Sequence, residues 1–143
     1  MNKENYNELH VLWDASHSAG SPTYLVRKSI LKKRIVNTLN SFNDNTLSVL
    51  DVGCGTGDYF PIFKKCNVNY CGIDVSDYAI TKLRNKYPCD KFYCLDLFSY
   101  KTIKRYNLIL LSEVLEHIAD QNKFLKKINY LLKIDGILII SVP

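Results

Sequence analysis

Short apolar runs alternate with helical patterns along most of this chain. The segments between the runs repeat apolar residues at helical spacing, as Ala79, Ile80 and Leu83 do. Strands that alternate with helices in this way form a parallel sheet with right-handed crossovers. The sequence therefore predicts an α/β fold, with a doubly wound, mostly parallel sheet and helices on both faces. The five predicted strands are Leu47–Val52, Val68–Ile73, Lys91–Leu95, Tyr106–Leu111 and Ile137–Val142.

A separate helix is predicted before the first strand. Ser21-Pro22 is typical of a helix start, and the spacing of Leu31, Ile35 and Leu39 extends the helix to about Asn40. The polar segment 43–45 then predicts a turn. We therefore divide the chain into an N-terminal segment with its helix, residues 1–45, and a core, residues 46–143.

Helices are also predicted between the strands. Ser76 is a candidate N-cap of one helix that Pro88 ends, and Asp135-Gly136 is expected to stop the last helix before the fifth strand. One or two helical turns are expected after the fourth strand. The ranges are Asp58–Cys66, the segment from Ser76 to Pro88, Ser112–Ile118 and Asn122–Lys133.

Composition excludes several classes of protein. No apolar run approaches the roughly 18 residues of a membrane span, and Met1–His10 does not resemble a signal peptide, so we expect a soluble, cytoplasmic chain. The five cysteines include no C-x-x-C pair, which argues against a zinc ribbon or a disulfide scaffold. The net charge of +5 arises largely in Arg27–Arg34 and Lys123–Lys133, interpreted as solvated helix faces.

A glycine-rich segment follows the first predicted strand. Gly53, Gly55 and Gly57 stand at alternate positions, where they permit positive φ angles and close approach of a ligand to the backbone. No Gly-Lys-Ser/Thr follows, so the segment is not a P-loop. The dinucleotide pattern G-x-G-x-x-G would need glycine where Asp58 stands, which argues against a nicotinamide-dependent oxidoreductase.

Acidic residues stand at or just beyond the ends of the first four predicted strands: Asp51, Asp74, Asp96 and Glu113. Ligands of open α/β sheets bind outside those carboxyl ends. Four carboxylates there favour a ligand with a cationic centre, an ammonium group and ribose hydroxyls. Each acid also has a purely structural interpretation: Asp51 as a cap of the next turn, Asp74 as a turn acid before Ser76, and Asp96 as an ordinary acid after a strand.

Five motifs in order then resemble one family. They are Val49–Gly57, Cys71–Ser76, Asp96-Leu97, Leu111–His117 and Gly136–Pro143. This set resembles the class I (Rossmann-like) S-adenosylmethionine-dependent methyltransferases from about Thr46 to Pro143. The resemblance implies the strand order 3-2-1-4-5, S-adenosylmethionine as cofactor, and in-line transfer of a methyl group. It also implies that the sixth and seventh strands of such enzymes are lacking here.

The resemblance implies a role for each matching residue. The loop from Gly53 through Cys54 and Gly55 to Gly57 would wrap the methionine part of the cofactor. Asp51 would fix loop amides or the amino group. The remaining implied contacts are Asp74 with the ribose hydroxyls, Val75 and Leu97 with the adenine ring, Asp96 with the adenine amine, and Ser112 and Glu113 near the sulfonium. No catalytic residue is assigned.

Glu113, Glu116 and His117 permit two interpretations. On a helix, their i, i+3, i+4 spacing would place them on one side, where they could bind a divalent metal. The same string resembles a magnesium site of small-RNA 2′-O-methyltransferases, and also segments of quinone-biosynthesis and other small-molecule enzymes. We assign no metal site and favour a helix start or acceptor pocket. A small-molecule acceptor is expected first, RNA second and protein third.

Two further expectations concern the chain ends. Without strands beyond Ile137–Val142, the fifth strand would be an apolar edge, so the isolated chain is expected to self-associate. A non-catalytic cofactor-binding module that needs a partner or a missing C-terminal part is therefore the alternative function. Near the N-terminus, His10 and His17 are interpreted as surface residues, although His17 with Tyr6 and Trp13 could close over the cofactor.

Overall fold

The computed structural model describes residues 22–43 and 46–143. Ser21, most of the predicted turn and the possible flap residues Tyr6, Trp13 and His17, with His10, lie outside the described residues. The helices are α1 (Pro22–Ser41), α2 (Phe60–Lys65), α3 (Asp77–Lys86) and α4 (Gln121–Leu131), with a 3₁₀ turn at Leu115–His117. The strands are β1 (Ser48–Val52), β2 (Asn69–Asp74), β3 (Phe92–Cys94), β4 (Tyr106–Ser112) and β5 (Leu132–Ser141).

The five strands form one parallel sheet in the order β3-β2-β1-β4-β5. This confirms the predicted fold class and strand order. Every residue of β1 is buried, as expected for a central strand that helices cover on both faces. The order reverses between β1 and β4, so a crevice opens beyond their carboxyl ends.

Two apolar clusters cover the two faces of the sheet. On one face α1, α2 and α3 contribute side chains such as Ile35, Phe60 and Leu83. On the other face α4 contributes Phe124 and Ile128, packed against β1 and β4. The helix α1 thus shares a core with the sheet, while the domain division at residue 45 stays a prediction. Among the described residues, no helix is long and apolar enough to cross a membrane.

The start of β5 differs from the prediction. The helix α4 ends at Leu131, and Leu132 is already extended, at φ −76° and ψ 145°. Leu132 pairs with Tyr106 and Ile137 pairs with Leu108, so residues 133–136 form an irregularity within the strand. Asp135-Gly136 therefore lies in this bulge and does not end the helix. A Cβ at Gly136 would lie only 2.9 Å from the carbonyl oxygen of Tyr106, which explains glycine there.

Candidate functional site

A cavity of about 580 Å³ lies beyond the carboxyl ends of the strands. Its volume is in the range of small-molecule and cofactor sites. Ten of the eleven residues proposed from the sequence line it: Asp51, Gly53, Cys54, Gly55, Asp74, Val75, Asp96, Leu97, Ser112 and Glu113. The eleventh, Gly57, is not among the lining residues. The sheet thus brings together residues that are far apart in sequence.

The glycine-rich loop adopts the positive φ angles that its glycines permit. Gly53, Gly55 and Gly57 have φ angles of +74°, +51° and +85°, which side chains rarely permit. A Cβ on Gly53 would collide with Val114, and one on Gly57 would collide with Leu83 of α3. Gly57 therefore serves the packing of the loop against α3, whereas Gly53 and Gly55 face the cavity.

The loop amides are held by residues at the end of β2. The carbonyl oxygen of Ile73 accepts hydrogen bonds from the N–H groups of Gly53, at 2.8 Å, and Cys54, at 3.1 Å. The Gly55 N–H donates to Asp74 Oδ2 at 2.8 Å, and the Ser76 N–H donates to Asp74 Oδ1 at 2.8 Å. Asp74 therefore accepts hydrogen bonds within the turn before Ser76, as its structural interpretation predicts, and it also lines the cavity.

Asp51 lies at the floor of the cavity and is only 2% exposed. Its Oδ2 atom accepts a hydrogen bond from the Tyr70 hydroxyl at 2.9 Å. Burial raises the pKa of Asp51 to about 7; the Tyr70 hydrogen bond lowers it, and the charges of Asp74 and Asp58 raise it. The amides of Gly53, Cys54 and Gly55 have other acceptors, namely the Ile73 carbonyl and Asp74, and the role of Asp51 toward the amino group stays a prediction.

Asp96 follows β3 and caps its own turn. Its Oδ1 accepts from the N–H groups of Phe98 and Ser99, at 2.8 and 3.0 Å, and its Oδ2 accepts from the Ser99 hydroxyl at 2.6 Å. Burial would raise the pKa of Asp96, but these hydrogen bonds outweigh it and lower the pKa. The carboxylate therefore stays ionised at the cavity edge, beside the buried Leu97 and the half-buried Val75.

The conformation of Glu113 corrects the helical interpretation of the fourth motif. Glu113 has a φ angle of +56°, and its N–H donates to the Ser141 carbonyl at 2.9 Å. Only Leu115–His117 forms a 3₁₀ turn, so Glu113, Glu116 and His117 do not follow helical spacing. Within residues 22–43 and 46–143, no group of three or more His, Cys, Asp or Glu side chains is placed to hold a metal ion.

The carboxylate of Glu113 connects β4 to β5 and α1. Its Oε1 accepts from the Ser141 hydroxyl at 3.3 Å, and its Oε2 lies 3.6 Å from Arg27 Nη1. The Ser112 and Ser141 hydroxyls are 3.1 Å apart. Ser112 and Glu113 thus form one wall of the cavity, to which β5 contributes Ser141.

The first turns of α1 cover the cavity, which sequence analysis did not anticipate. Tyr24, Arg27 and Lys28 line it, although the segment from Arg27 was interpreted as a solvated face. The Tyr24 hydroxyl and Lys28 Nζ both lie 2.6 Å from Asp58 Oδ2. Burial would raise the pKa of Asp58, but Lys28 and Tyr24 lower it. Asp58, the residue that replaces a third glycine, therefore ties α1 to the loop.

A protein-family model described as "Methyltransferase domain" matches residues 26–143, most of the chain. The chain belongs to the class I S-adenosylmethionine-dependent methyltransferases. This assignment agrees with the methyltransferase motifs and argues against the nicotinamide-dependent alternative.

Relatives of this chain carry names that specify different acceptors. A ubiquinone biosynthesis O-methyltransferase of Bradyrhizobium diazoefficiens is 30% identical over 115 residues, which are 76% of this chain and 44% of the relative. The (S)-coclaurine N-methyltransferase of Papaver somniferum is 33% identical over 101 residues, 66% of this chain and 29% of the relative. The chain thus spans less than half the length of these curated relatives.

Solved structures of methyltransferases share the fold of this chain. The S-adenosylmethionine-bound structure of CalS10, an amino pentose methyltransferase of Micromonospora echinaspora, superposes with a TM-score of 0.71 at 17% identity. The match covers 93% of this chain and 56% of CalS10. At this identity the likeness establishes the fold and leaves the acceptor open.

Proposed function

We propose that this chain binds S-adenosylmethionine in the cavity above β1, β2 and β4, as part of an enzyme that methylates a small molecule. The observation that carries the proposal is the set of acids lining one cavity: Asp51, Asp74, Asp96 and Glu113. Their combined charge favours a ligand that carries a sulfonium and an ammonium and presents hydroxyl and amine donors. A dinucleotide pyrophosphate would be repelled by the same charges.

The hydrogen bonds of the acids are compatible with such a ligand. Each carboxylate oxygen can accept more than one hydrogen bond, so Asp74 can hold Gly55 and Ser76 and still accept from ribose hydroxyls. In this proposal Asp96 accepts a hydrogen bond from the adenine amine, with Leu97 and Val75 as apolar contacts for the ring. Asp51 would accept from the ammonium group, and Gly53 and Gly55 would permit the methionine part to approach the backbone.

The chemistry requires little of the protein beyond alignment and a dry site. S-adenosylmethionine supplies an electrophilic methyl group when it is bound. The acceptor nucleophile would bond to the methyl carbon as the carbon–sulfur bond breaks, with the electron pair remaining on sulfur. An acceptor that must lose a proton would also need a base. Tyr24, Lys28 and Tyr59 line the cavity, where they would help to exclude water and to restrict the line of approach.

A small molecule leads the candidate acceptors, ahead of RNA and protein. The relatives named ubiquinone biosynthesis O-methyltransferase and (S)-coclaurine N-methyltransferase support this order, because both names specify small molecules. The alternative, a non-catalytic cofactor-binding module, is not favoured, because the matched family and the relatives are methyltransferases. Turnover of catechol, phenol or amine acceptors would support the enzyme, whereas cofactor binding without turnover would support the module.

Calorimetric titration tests the cofactor proposal. S-adenosylmethionine and S-adenosylhomocysteine should bind with dissociation constants on the order of micromolar, and NAD should not bind. Asp74→Ala should weaken binding at least about tenfold, because a hydrogen-bonded charged group is lost. Asp77→Ala is the matched control, since Asp77 is exposed, lies three residues away and is not a lining residue. NAD binding by the folded chain would overturn the proposal.

A further inference from the structure

Tyr70 reaches Asp51 from within the core, on the side of the sheet that α2 and α3 cover. Its ring packs against Phe60, Phe63 and Phe92, with ring centroids 4.8, 5.3 and 5.8 Å away. The residue is 9% exposed, and its hydroxyl donates to Asp51 Oδ2 at 2.9 Å. Burial and the Asp51 carboxylate raise the pKa of Tyr70 well above its ordinary value, so the phenol remains a donor.

Gly72 makes this contact sterically possible. Gly72 lies two residues after Tyr70 on β2 and is the register partner of Asp51 on β1. A Cβ at Gly72 would lie 2.9 Å from the Tyr70 hydroxyl and 3.0 Å from Cys54 Sγ. The absence of a side chain therefore lets the phenol lie along β2, over Gly72, and reach the neighbouring strand.

We propose that Tyr70 is a positioning residue, whose hydrogen bond orients the Asp51 carboxylate to receive the ammonium group of the cofactor and favours its ionised form. This inference rests on the proposed function, because it concerns the residue behind the cofactor contact. Tyr70 is not a lining residue of the cavity, so it acts through Asp51.

The surroundings of Asp51 explain why such support is needed. Asp74 and Asp58 place negative charge near it, and Cys54 and Tyr59 also interact with it. The nearby cation Lys28 is hydrogen-bonded to Asp58. Burial and these acids favour the protonated form of Asp51, whereas the Tyr70 hydrogen bond favours the ionised form and lowers the pKa. A protonated Asp51 would be a poor partner for an ammonium group.

Tyr70→Phe removes the hydroxyl and keeps the ring. We expect the apparent pKa of Asp51 to rise by about one unit, because the ionised form loses a hydrogen bond. One unit is a tenfold change in the acid dissociation constant. Titration with S-adenosylhomocysteine at several pH values should then show about tenfold weaker binding than wild type near pH 6. The difference should fall below about twofold near pH 9, where Asp51 is ionised in both proteins. The ligand itself titrates in the same way in both experiments, so its titration does not affect the ratio of the wild-type and variant dissociation constants.

Two further variants separate this role from simple packing. Tyr87→Phe removes a hydroxyl from the same aromatic cluster, where Tyr87 packs on Phe60 at 4.7 Å, and should leave the ratio near one at every pH. In an Asp51→Asn background, Tyr70→Phe should add no pH-dependent effect. A ratio that does not vary with pH, from proteins with matched circular dichroism spectra, would overturn the role of Tyr70. If the wild-type chain does not bind S-adenosylhomocysteine at any pH, the proposed function is overturned, and the role of Tyr70 falls with it.

Discussion

The buried carboxylate of Asp51 should destabilise the ligand-free protein at neutral and alkaline pH. Burial is the main cause that raises its pKa from 3.8 to about 7, so the folded state binds a proton more tightly than the unfolded state does. The stabilisation from this proton is complete below about pH 4 and is lost as the pH rises through about 7. A shift of this size corresponds to at most about 4 kcal/mol above pH 7.

Asp51→Asn should therefore increase the free energy of unfolding in alkaline solution. The amide carbonyl can still accept the hydrogen bond from Tyr70, and no charge is buried. The new amide N–H group must find a hydrogen-bond partner in the cavity, and this requirement costs about 1 kcal/mol. The net increase in the free energy of unfolding near pH 8 is therefore about 2–3 kcal/mol. Near pH 4, where Asp51 is protonated in the folded protein, the gain should disappear.

Urea denaturation of the ligand-free chain at several pH values measures this difference. Asp77→Asn at an exposed position is the control and should change the free energy of unfolding by less than about 0.5 kcal/mol. The stabilised variant should also lose affinity for S-adenosylhomocysteine, as expected when binding requires an unfavourably buried charge. Equal destabilisation by Asp51→Asn at all pH values would refute the reasoning.

Three other positions give testable outcomes. Gly57→Ala should lower the free energy of unfolding in urea by about 2 kcal/mol, because φ is +85° and the new methyl group meets Leu83; an unchanged midpoint would contradict this. Lys28→Met should change the free energy of unfolding by less than about 1 kcal/mol, because the ion pair with Asp58 is partly exposed. The same variant should release S-adenosylhomocysteine faster in stopped-flow measurements, because α1 is held less firmly over the cavity. Equal release rates would count against the covering role of α1. Ile140 on β5 is 41% exposed, so the isolated chain should self-associate in light scattering and Ile140→Lys should reduce this; a monomeric wild-type chain at high concentration would exclude it.

Much of the fold was predictable because its signals are local. Alternating apolar runs and helical spacings depend on neighbours a few residues away, so all five strands and the N-cap at Ser76 were predicted, with the Ser76 hydroxyl accepting from the Ala79 N–H at 3.2 Å. The strand ends also locate the glycine loop and the four acids, because parallel strands present their carboxyl ends on one side. The sequence could therefore indicate at which edge of the sheet the cavity lies.

Only the tertiary structure shows which side chains meet across the sheet and under α1. The approach of Tyr70 to Asp51 depends on the register of β1 with β2 and on the space at Gly72. The cover formed by Lys28 and Asp58 depends on where α1 packs, and no periodicity encodes that position. Glu113 departs from a helix because β5 supplies the Ser141 carbonyl to its N–H. Local patterns thus determined the strands and the location of the site, whereas contacts between residues distant in sequence decided the environment of each acid.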